Sequence, residues 1–311
     1  MSQTMIINAI HPEEFRVALM EGQTLEGFFI ETATRGKVVG NIYKGIVTHV
    51  QPSLQAAFVN YGMERNGFLP FPEIHPEYYE EDSDERVRIQ DVIHSGQEVL
   101  VQVLREVSER KGALLTTYIS LPGRYMVLLP NKQSSGVSRK IEDEEDRKRL
   151  KALMEQIKIE EGIGFIIRTA GMSRTKQELA RDYQHLSRLW KEILKAAAEL
   201  PAPSLIYQET DFGVRSLRDY FTSDIEEILV DDLETFRKMR AYCRAVAPRN
   251  LKIIKHYKDK TPLFNRFRLE EQIGVIYQEQ ANLKSGGYIV INPTEAMITI
   301  DVNSGRGSNK R

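Results

Sequence analysis

Three short stretches of the sequence carry side chains whose types and spacing could do chemistry. The first is Met297–Arg306, in which strand alternation puts Ile298, Ile300 and Val302 on one face and Thr299, Asp301 and Asn303 on the other. An acidic side chain within an apolar strand is costly unless it has a partner. A hard cation such as Mg²⁺, which binds carboxylate and amide oxygens, is one candidate partner.

That stretch also has a simpler interpretation, namely an edge strand whose polar face is hydrated. Magnesium sites often use a second carboxylate. Glu295 is close in sequence to Asp301, but no spacing argument makes it the partner. The six histidines show no spacing typical of metal ligands, and we assign them no role.

The second stretch is a predicted hairpin around Gly62 and Met63. Alternation puts Ala57, Val59 and Tyr61 on one face and Phe58 and Asn60 on the other, with Phe68 opposite Phe58. Two aromatic rings on the less aliphatic face form a surface on which unpaired bases can stack. Lys44, Arg65 and Lys111 are candidate phosphate contacts nearby. The alternative, that both rings are ordinary core side chains, is equally compatible with the pattern.

The third stretch, Gly164–Gly171, is an apolar strand that ends in Arg168 and Thr169 beside a glycine turn. An Arg guanidinium and a Thr hydroxyl can together hold a phosphate. The tight turn Leu121–Gly123 is a candidate source of backbone donors. The alternative is a strand end with a surface Arg. A basic run, Lys252–Arg268, is typical of a solvated face unless RNA binding is established otherwise.

The elements that must position these residues follow from the pattern of apolar positions. Five short strands between Gly40 and Ser120 predict a small closed barrel of the OB type. Glu142–Ile157 and a segment opened by a Thr175–Glu178 capping box are predicted helices. Thr261–Pro262 predicts the start of another helix, which runs to about Leu283. Two apolar strands close the sequence.

Composition places further limits. The chain has 311 residues, 41% hydrophobic and 28% charged, as in an ordinary globular protein. Its formal net charge of −1 means that any nucleic-acid binding depends on local patches. The single cysteine, Cys243, excludes an internal disulfide. Because there is no apolar run of membrane-spanning length and acidic residues come early, we expect a cytoplasmic protein without a membrane span.

Four blocks of sequence closely resemble the N-terminal catalytic half of the ribonuclease E/G family of bacterial endoribonucleases. They are NIYKGIVTHVQPSLQAAFVNYGMERNGFLP (41–70), KGALLTTYISLPGRYMVLLP (111–130), GIGFIIRTAG (162–171) and SGGYIVINPTEAMITIDVNSGR (285–306). The resemblance extends along essentially the whole chain, in order.

The resemblance implies an α+β fold of several subdomains. Residues 1–36 and 215–280 would form an RNase H-like subdomain. Residues 37–119 would form an inserted OB-fold RNA-binding barrel, and 120–214 an α/β sensor of RNA 5′ ends. Residues 281–311 would begin a DNase I-like catalytic subdomain.

The resemblance also implies roles for residues. Phe58, Phe68 and Lys111 would contact RNA, and Gly123, Val127, Arg168 and Thr169 would bind a 5′-monophosphate. Asp301 would be the first of two aspartates that hold catalytic Mg²⁺, supported by Asn303. The implied function is cleavage of single-stranded, AU-rich RNA with preference for 5′-monophosphorylated ends, in RNA processing and decay.

The sequence departs from the family pattern at its C-terminus. The family's second metal-binding aspartate and the CPxC-type zinc motif that joins protomers are not in these 311 residues. We therefore expect this chain alone to be inactive or nearly so. Zn²⁺ and a homo-oligomer are expected only of the longer parent, and RNA-degradation machinery is a further expected partner. The rival hypothesis is a non-catalytic single-stranded RNA-binding or scaffold protein.

Overall fold

The structure is a computed structural model, and it describes residues 3–11, 13–32, 38–79, 88–106, 112–130, 132, 135–209, 211–222, 224–295 and 297–305. The strands in these residues are β1 (Gln3–Asn8), β2 (Glu14–Glu21), β3 (Thr24–Thr32), β4 (Ile42–Gln51), β5 (Ala56–Asn60), β6 (Gly67–Pro70), β7 (Glu98–Arg105), β8 (Leu114–Thr116), β9 (Leu121–Pro122), β10 (Met126–Leu129), β11 (Ser135–Val137), β12 (Gly164–Ile167), β13 (Ser204–Tyr207), β14 (Ile225–Val230), β15 (Ile254–His256), β16 (Gln280–Asn282), β17 (Tyr288–Pro293) and β18 (Ile298–Asn303). The helices are α1 (Ile89–Val92), α2 (Glu144–Glu155), α3 (Lys176–Glu199), α4 (Phe212–Tyr220), α5 (Leu233–Val246), α6 (Leu263–Arg266) and α7 (Leu269–Ile276).

One sheet joins the beginning of the chain to its later third, in the order β15-β14-β1-β2-β3. The central strand β1 pairs parallel with β14 and antiparallel with β2. Because successive side chains of a strand point to opposite faces, β1 serves two cores. Met5 and Ile7 lie in one with α4 and α5, and Ile6 lies in the other with α6 and α7.

The predicted barrel is present. Strands β4, β5, β6, β8 and β7 follow one another, and pairing of β4 with β7 closes the ring. Its core contains Val47, Val59 and Leu69 among other buried side chains. Gly45 permits the tight wrap of β4, since a Cβ there would lie 2.5 Å from Val59 Cγ1. Strand β13 pairs antiparallel with the first residues of β4, Ile42 to Lys44, a pairing that the sequence pattern does not predict.

A smaller sheet, β11-β12-β10-β9, packs against helix α3. The capping box predicted for this helix is formed: Thr175 Oγ1 accepts from the Glu178 backbone N–H, and Glu178 Oε2 accepts from the Thr175 backbone N–H. The apolar face of α3 buries Leu179, Tyr183 and Trp190. This helix thereby fixes the sheet from which Arg168 projects.

The helix predicted from Thr261 to about Leu283 is wrong in its extent. Helix α6 ends at Arg266, Arg268 adopts a left-handed conformation with φ 52°, and α7 then ends at Ile276, before strand β16. Phe264 and Leu269 both enter the same core. Their spacing of five does not match the three-and-four spacing of one helical face, so the chain breaks between them.

The last strands form a separate sheet in the order β16-β17-β18. Strand β18 is at its edge and pairs antiparallel with β17. Its apolar side chains Ile298, Ile300 and Val302 are each about two thirds exposed, at 67%, 64% and 68%. Within the described residues, this sheet therefore buries little apolar surface.

Candidate nucleic-acid interface

The barrel displays its two predicted aromatic rings as a pair. Phe58 and Phe68 occupy opposing positions of β5 and β6, as the alternation predicts. Their ring centroids are 5.9 Å apart in an edge-on arrangement. Both side chains are half-buried. In the described part of the chain, the half-buried hydrophobic residues that pack on the barrel core are Val38, Val39, Val50, Phe71, Tyr78 and Tyr79. Phe58 and Phe68 are not among them, so the rings are available on the outside of the barrel.

A third ring, to which the sequence analysis assigns no role, extends this pair. His49 of β4 opposes Phe58, and their ring centroids are 6.5 Å apart with an interplanar angle of 25°. His49 is exposed, and Gln51 Oε1 lies 2.8 Å from its Nε2 atom. His49, Phe58 and Phe68 thus make a continuous row across three strands, which we call the ring row. Only the pairing of β4 with β5 reveals this alignment, since His49 lies beyond a register shift in β4.

The structure describes two of the three cations predicted to contact phosphate near the ring row. Lys44 Nζ lies 2.8 Å from Glu98 Oε2 and donates to the Leu200 carbonyl at 3.2 Å, so its charge is already paired. Arg65 is exposed in the hairpin between β5 and β6. Lys111 lies outside the described residues.

The predicted phosphate site gathers at one corner of the small sheet. Val127 of β10 pairs with Ile166 of β12, and Arg168 and Thr169 follow directly after β12. Arg168 Nη1 donates to the Gly123 carbonyl at 2.8 Å. Thr169 is exposed and opens a single 3-10 turn, Thr169–Gly171. The structure therefore brings Gly123, Val127, Arg168 and Thr169 together, although they come from separate stretches of the sequence.

The Leu121–Gly123 turn is predicted to supply backbone donors, but Gly123 does not supply one. The Gly123 N–H donates to the Met126 carbonyl at 2.8 Å, so it is not a spare donor. Its carbonyl instead orients Arg168. A Cβ at position 123 would lie 2.7 Å from Asp182 Oδ2 and 2.8 Å from Leu186 Cδ1, so glycine is required there for close packing.

Asp182 of α3 fixes this turn from inside the protein. Its carboxylate accepts from the backbone N–H groups of Arg124, Tyr125 and Met126 at 3.2, 2.7 and 3.1 Å. The side chain is fully buried, and burial raises the pKa of Asp182. Three backbone donors held by one buried acceptor make the corner at Gly123 rigid.

A network of charged side chains, also not predicted from the sequence, lies beside Arg168. Arg168 Nη2 donates to Asp219 Oδ1 at 2.7 Å, and Arg218 contacts both oxygens of Asp219 at 3.2 Å. Arg218 Nη1 also donates to Glu209 Oε1 at 3.0 Å. Burial tends to raise the pKa of Asp219, but Arg218 and Arg168 outweigh it and hold that pKa below its ordinary value. Asp219 is therefore an anion at neutral pH.

The candidate metal residues lie on the edge strand β18. Asp301 is exposed, so the argument from the cost of burying its charge does not apply. Asn303 Nδ2 donates to Asp301 Oδ2 at 3.0 Å, so the amide orients one oxygen of the carboxylate. One carboxylate and one amide are hard oxygen donors of the kind that Mg²⁺ uses together with water. Among the residues that the structure describes, no cluster of three or more His, Cys, Asp or Glu side chains is placed to hold a metal ion.

The basic run Lys252–Arg268 is partly neutralised where it lies on the surface. Lys255 Nζ is 2.6 Å from Glu227 Oε1, and Arg266 Nη1 is 2.7 Å from Asp259 Oδ2. We assign this run no role in RNA binding. In the described residues, no helix has both the length and the apolar character needed to cross a membrane.

Comparison with known proteins identifies two matching families. Residues 120–311, more than half of the chain, match the Ribonuclease E/G family, and residues 38–117 match the S1 RNA binding domain. The chain is 45% identical over 307 residues to Ribonuclease E of Haemophilus influenzae (98% of this chain, 33% of the relative). It is 40% identical over 308 residues to a putative ribonuclease E of Buchnera aphidicola subsp. Baizongia pistaciae (98% and 75%). It is 38% identical over 310 residues to Ribonuclease G of H. influenzae (98% and 63%).

Proposed function

The chain belongs to the ribonuclease E/G family, and from this premise we propose that it is the RNA-binding and 5′-end-sensing part of an Mg²⁺-dependent endoribonuclease that acts on single-stranded RNA. The chain spans about a third of the length of the H. influenzae ribonuclease E that it matches. Cleavage is therefore proposed for a chain of the relatives' length, whereas RNA binding is proposed for these 311 residues.

The observation that carries the proposal is the ring row on the outside of the S1-type barrel. Aromatic faces bind unpaired bases by stacking, with each base worth about 1–3 kcal/mol. Bases inside a duplex are stacked on their neighbours and cannot reach such a surface, so the ring row selects single strands. Because stacking does not depend on base identity, the ring row itself does not select AU-rich RNA. The proposed preference for AU-rich RNA would arise because such sequences form weaker secondary structure.

The corner at Arg168 is proposed to bind the 5′-monophosphate of the RNA. A guanidinium has five N–H groups, and the contacts with Gly123 and Asp219 use one each. The remaining donors, with the exposed Thr169 hydroxyl, suit the oxygens of a terminal phosphate. Val127, half-buried on the neighbouring strand, would bound the site on its apolar side. A 5′-triphosphate is larger and more charged, so we expect it to bind less well.

Asp301 and Asn303 are proposed to hold the catalytic Mg²⁺. Asn303 orients one oxygen of the Asp301 carboxylate through its amide, so the other oxygen is available as a ligand. When bound there, the ion supplies positive charge that stabilises the charge developing on a phosphodiester during hydrolysis. The exposure of Asp301 at a sheet edge leaves room for an RNA backbone to approach.

The proposal for the 5′ end is tested by Arg168→Ala. The binding of 3′-labelled single-stranded RNA carrying a 5′-monophosphate is compared with that of the same RNA carrying a 5′-hydroxyl. The unaltered chain should bind the monophosphate form more tightly, and Arg168→Ala should abolish the difference. Lys191→Ala, which removes an exposed cation paired with Glu160, is a matched control and should preserve it. An unchanged ratio in Arg168→Ala would place the phosphate elsewhere.

A further inference from the structure

The guanidinium of Arg168 is held from two sides by the protein itself. Its Nη1 donates to the Gly123 carbonyl at 2.8 Å, and its Nη2 donates to Asp219 Oδ1 at 2.7 Å. The Arg168 side chain is 26% exposed, so part of it still faces solvent. Gly123 is fixed by the packing of α3, and among the described residues Asp219 supplies the side-chain hydrogen bond that sets the angle of the guanidinium plane.

Asp219 is itself held in place by a partly buried network. Arg218 Nε contacts Asp219 Oδ1 and Arg218 Nη2 contacts Asp219 Oδ2, both at 3.2 Å. Arg218 is in turn fixed by Glu209 Oε1 at 3.0 Å and by the Pro122 carbonyl at 3.3 Å. The side chains of Arg218 and Glu209 are only 10% and 8% exposed. Because both carboxylate oxygens of Asp219 are hydrogen-bonded, its side chain is held in one conformation.

We propose that Asp219 is a positioning residue for recognition of the RNA 5′-monophosphate. It acts by fixing the Arg168 guanidinium in the orientation that binds the phosphate. This inference rests on the proposed phosphate site at Arg168 and deepens it. Asp219 does not touch the phosphate itself. Glu209 and Asp219 together balance the charges of Arg218 and Arg168, so the network positions Arg168 without adding net charge.

The physical effect of Asp219 is preorganisation. An arginine side chain has many rotamers, and immobilising it during binding weakens the affinity by roughly 2- to 12-fold. When Asp219 holds Arg168 beforehand, that loss is avoided. The gain in affinity applies only to RNA that contacts Arg168, namely RNA with a 5′-phosphate. Asp219 therefore increases the preference for 5′-monophosphate over 5′-hydroxyl RNA rather than the affinity for RNA in general.

The test measures the ratio of Kd values for 5′-hydroxyl and 5′-monophosphate forms of one 3′-labelled RNA oligonucleotide with the 311-residue chain. Asp219→Ala should reduce this ratio roughly 2- to 12-fold. Asp219→Asn keeps an oxygen that accepts from Arg168 Nη2 and should retain most of the ratio. Because both RNAs are measured on the same preparation, a loss of folded protein weakens both equally and leaves the ratio unchanged.

The control is Asp259→Asn, since Asp259 pairs with Arg266 at the same 2.7 Å distance on an unrelated surface. It should leave the ratio as it is. An unchanged ratio in Asp219→Ala, with Arg168→Ala abolishing discrimination, would overturn the role of Asp219 while preserving the phosphate site. A higher ratio in Asp219→Ala would show that Asp219 competes with the phosphate, which also overturns the inference. If Arg168→Ala has no effect, the phosphate site and this inference fail together.

Discussion

Replacement of Phe58 by Ala should weaken single-stranded RNA binding while the barrel stays folded. Phe58 is the middle member of the ring row, between His49 and Phe68. Loss of one stacked base is worth about 1–3 kcal/mol, which corresponds to roughly a 5- to 140-fold rise in Kd. A fully buried Phe loses about 3–5 kcal/mol of folding stability on truncation to Ala. Phe58 is half-buried and lies outside the barrel core, so its loss in stability should be clearly smaller.

The assay is fluorescence anisotropy with an unstructured RNA, together with chemical denaturation of the same variants. Phe71→Ala is the matched control, because Phe71 is a half-buried ring of the same barrel region that packs on the core and stacks on Tyr79 at 6.0 Å. We expect Phe71→Ala to lower stability and to leave the Kd of the folded fraction unchanged. The reverse pattern, with Phe58→Ala unfolding the barrel and a folded fraction that binds normally, would show that Phe58 is a core residue.

The double variant adds a further constraint. The rings of Phe58 and Phe68 touch edge-on, and such aromatic pairs are coupled by about 0.5–1.5 kcal/mol. If the two rings form one stacking surface, removal of either also impairs the other, so Phe58→Ala with Phe68→Ala should lose less binding free energy than the sum of the single changes. Strict additivity would indicate that the two rings bind separate bases independently.

The other predictions concern the metal residues, the barrel row and the helix that supports the phosphate site. In a chain of the relatives' length, Asp301→Asn should lower Mg²⁺-dependent RNA cleavage by more than about 100-fold. Loss of a group that only hydrogen-bonds to a metal ligand already lowers activity by about 10- to 100-fold. RNA affinity should not change; a non-catalytic scaffold protein would instead show no Mg²⁺-dependent cleavage to lose. His49→Ala should raise the Kd for single-stranded RNA with little loss of stability, because His49 is exposed, and an unaltered Kd would remove it from the ring row. Thr175→Ala should lower the free energy of unfolding by about 0.5–2 kcal/mol, measured by denaturation, because it breaks the capping box of α3. Burial tends to raise the pKa of Glu178, but the Thr175 hydrogen bonds and nearby Arg charges outweigh it and hold that pKa below its ordinary 4.5. A lowered carboxyl pKa stabilises the folded state above the unfolded pKa, so the deficit of Thr175→Ala should shrink as the pH falls below 4.5; a constant deficit would contradict this account.

The sequence predicts correctly those features that depend on residues close together in the chain. Alternation places Phe58 opposite Phe68, and the structure has that pairing. The Thr175–Glu178 capping box marks the start of α3 correctly. Both features depend only on residues close together in the chain and on the periods of strands and helices.

Features that depend on distant pairing are not predictable in this way. The parallel pairing of β1 with β14 joins two apolar runs more than 200 residues apart, and neither run specifies its partner. The contact between Arg168 and Asp219 spans 51 residues and links a strand end to a helix end. His49 gains its place in the ring row only through a register shift in β4. The resemblance to a family supplied residue roles, but not the network behind Arg168.

The most direct test of the account is photocrosslinking of a 5′-monophosphorylated single-stranded RNA to the 311-residue chain, with the crosslinked peptides identified by mass spectrometry. We predict that internal nucleotides crosslink to the barrel at His49, Phe58 or Phe68. We predict that the 5′-terminal nucleotide crosslinks to the corner that contains Val127, Arg168 and Thr169. Crosslinks confined to other surfaces, or the same crosslinks from fully duplex RNA, would contradict the assignment of these two sites.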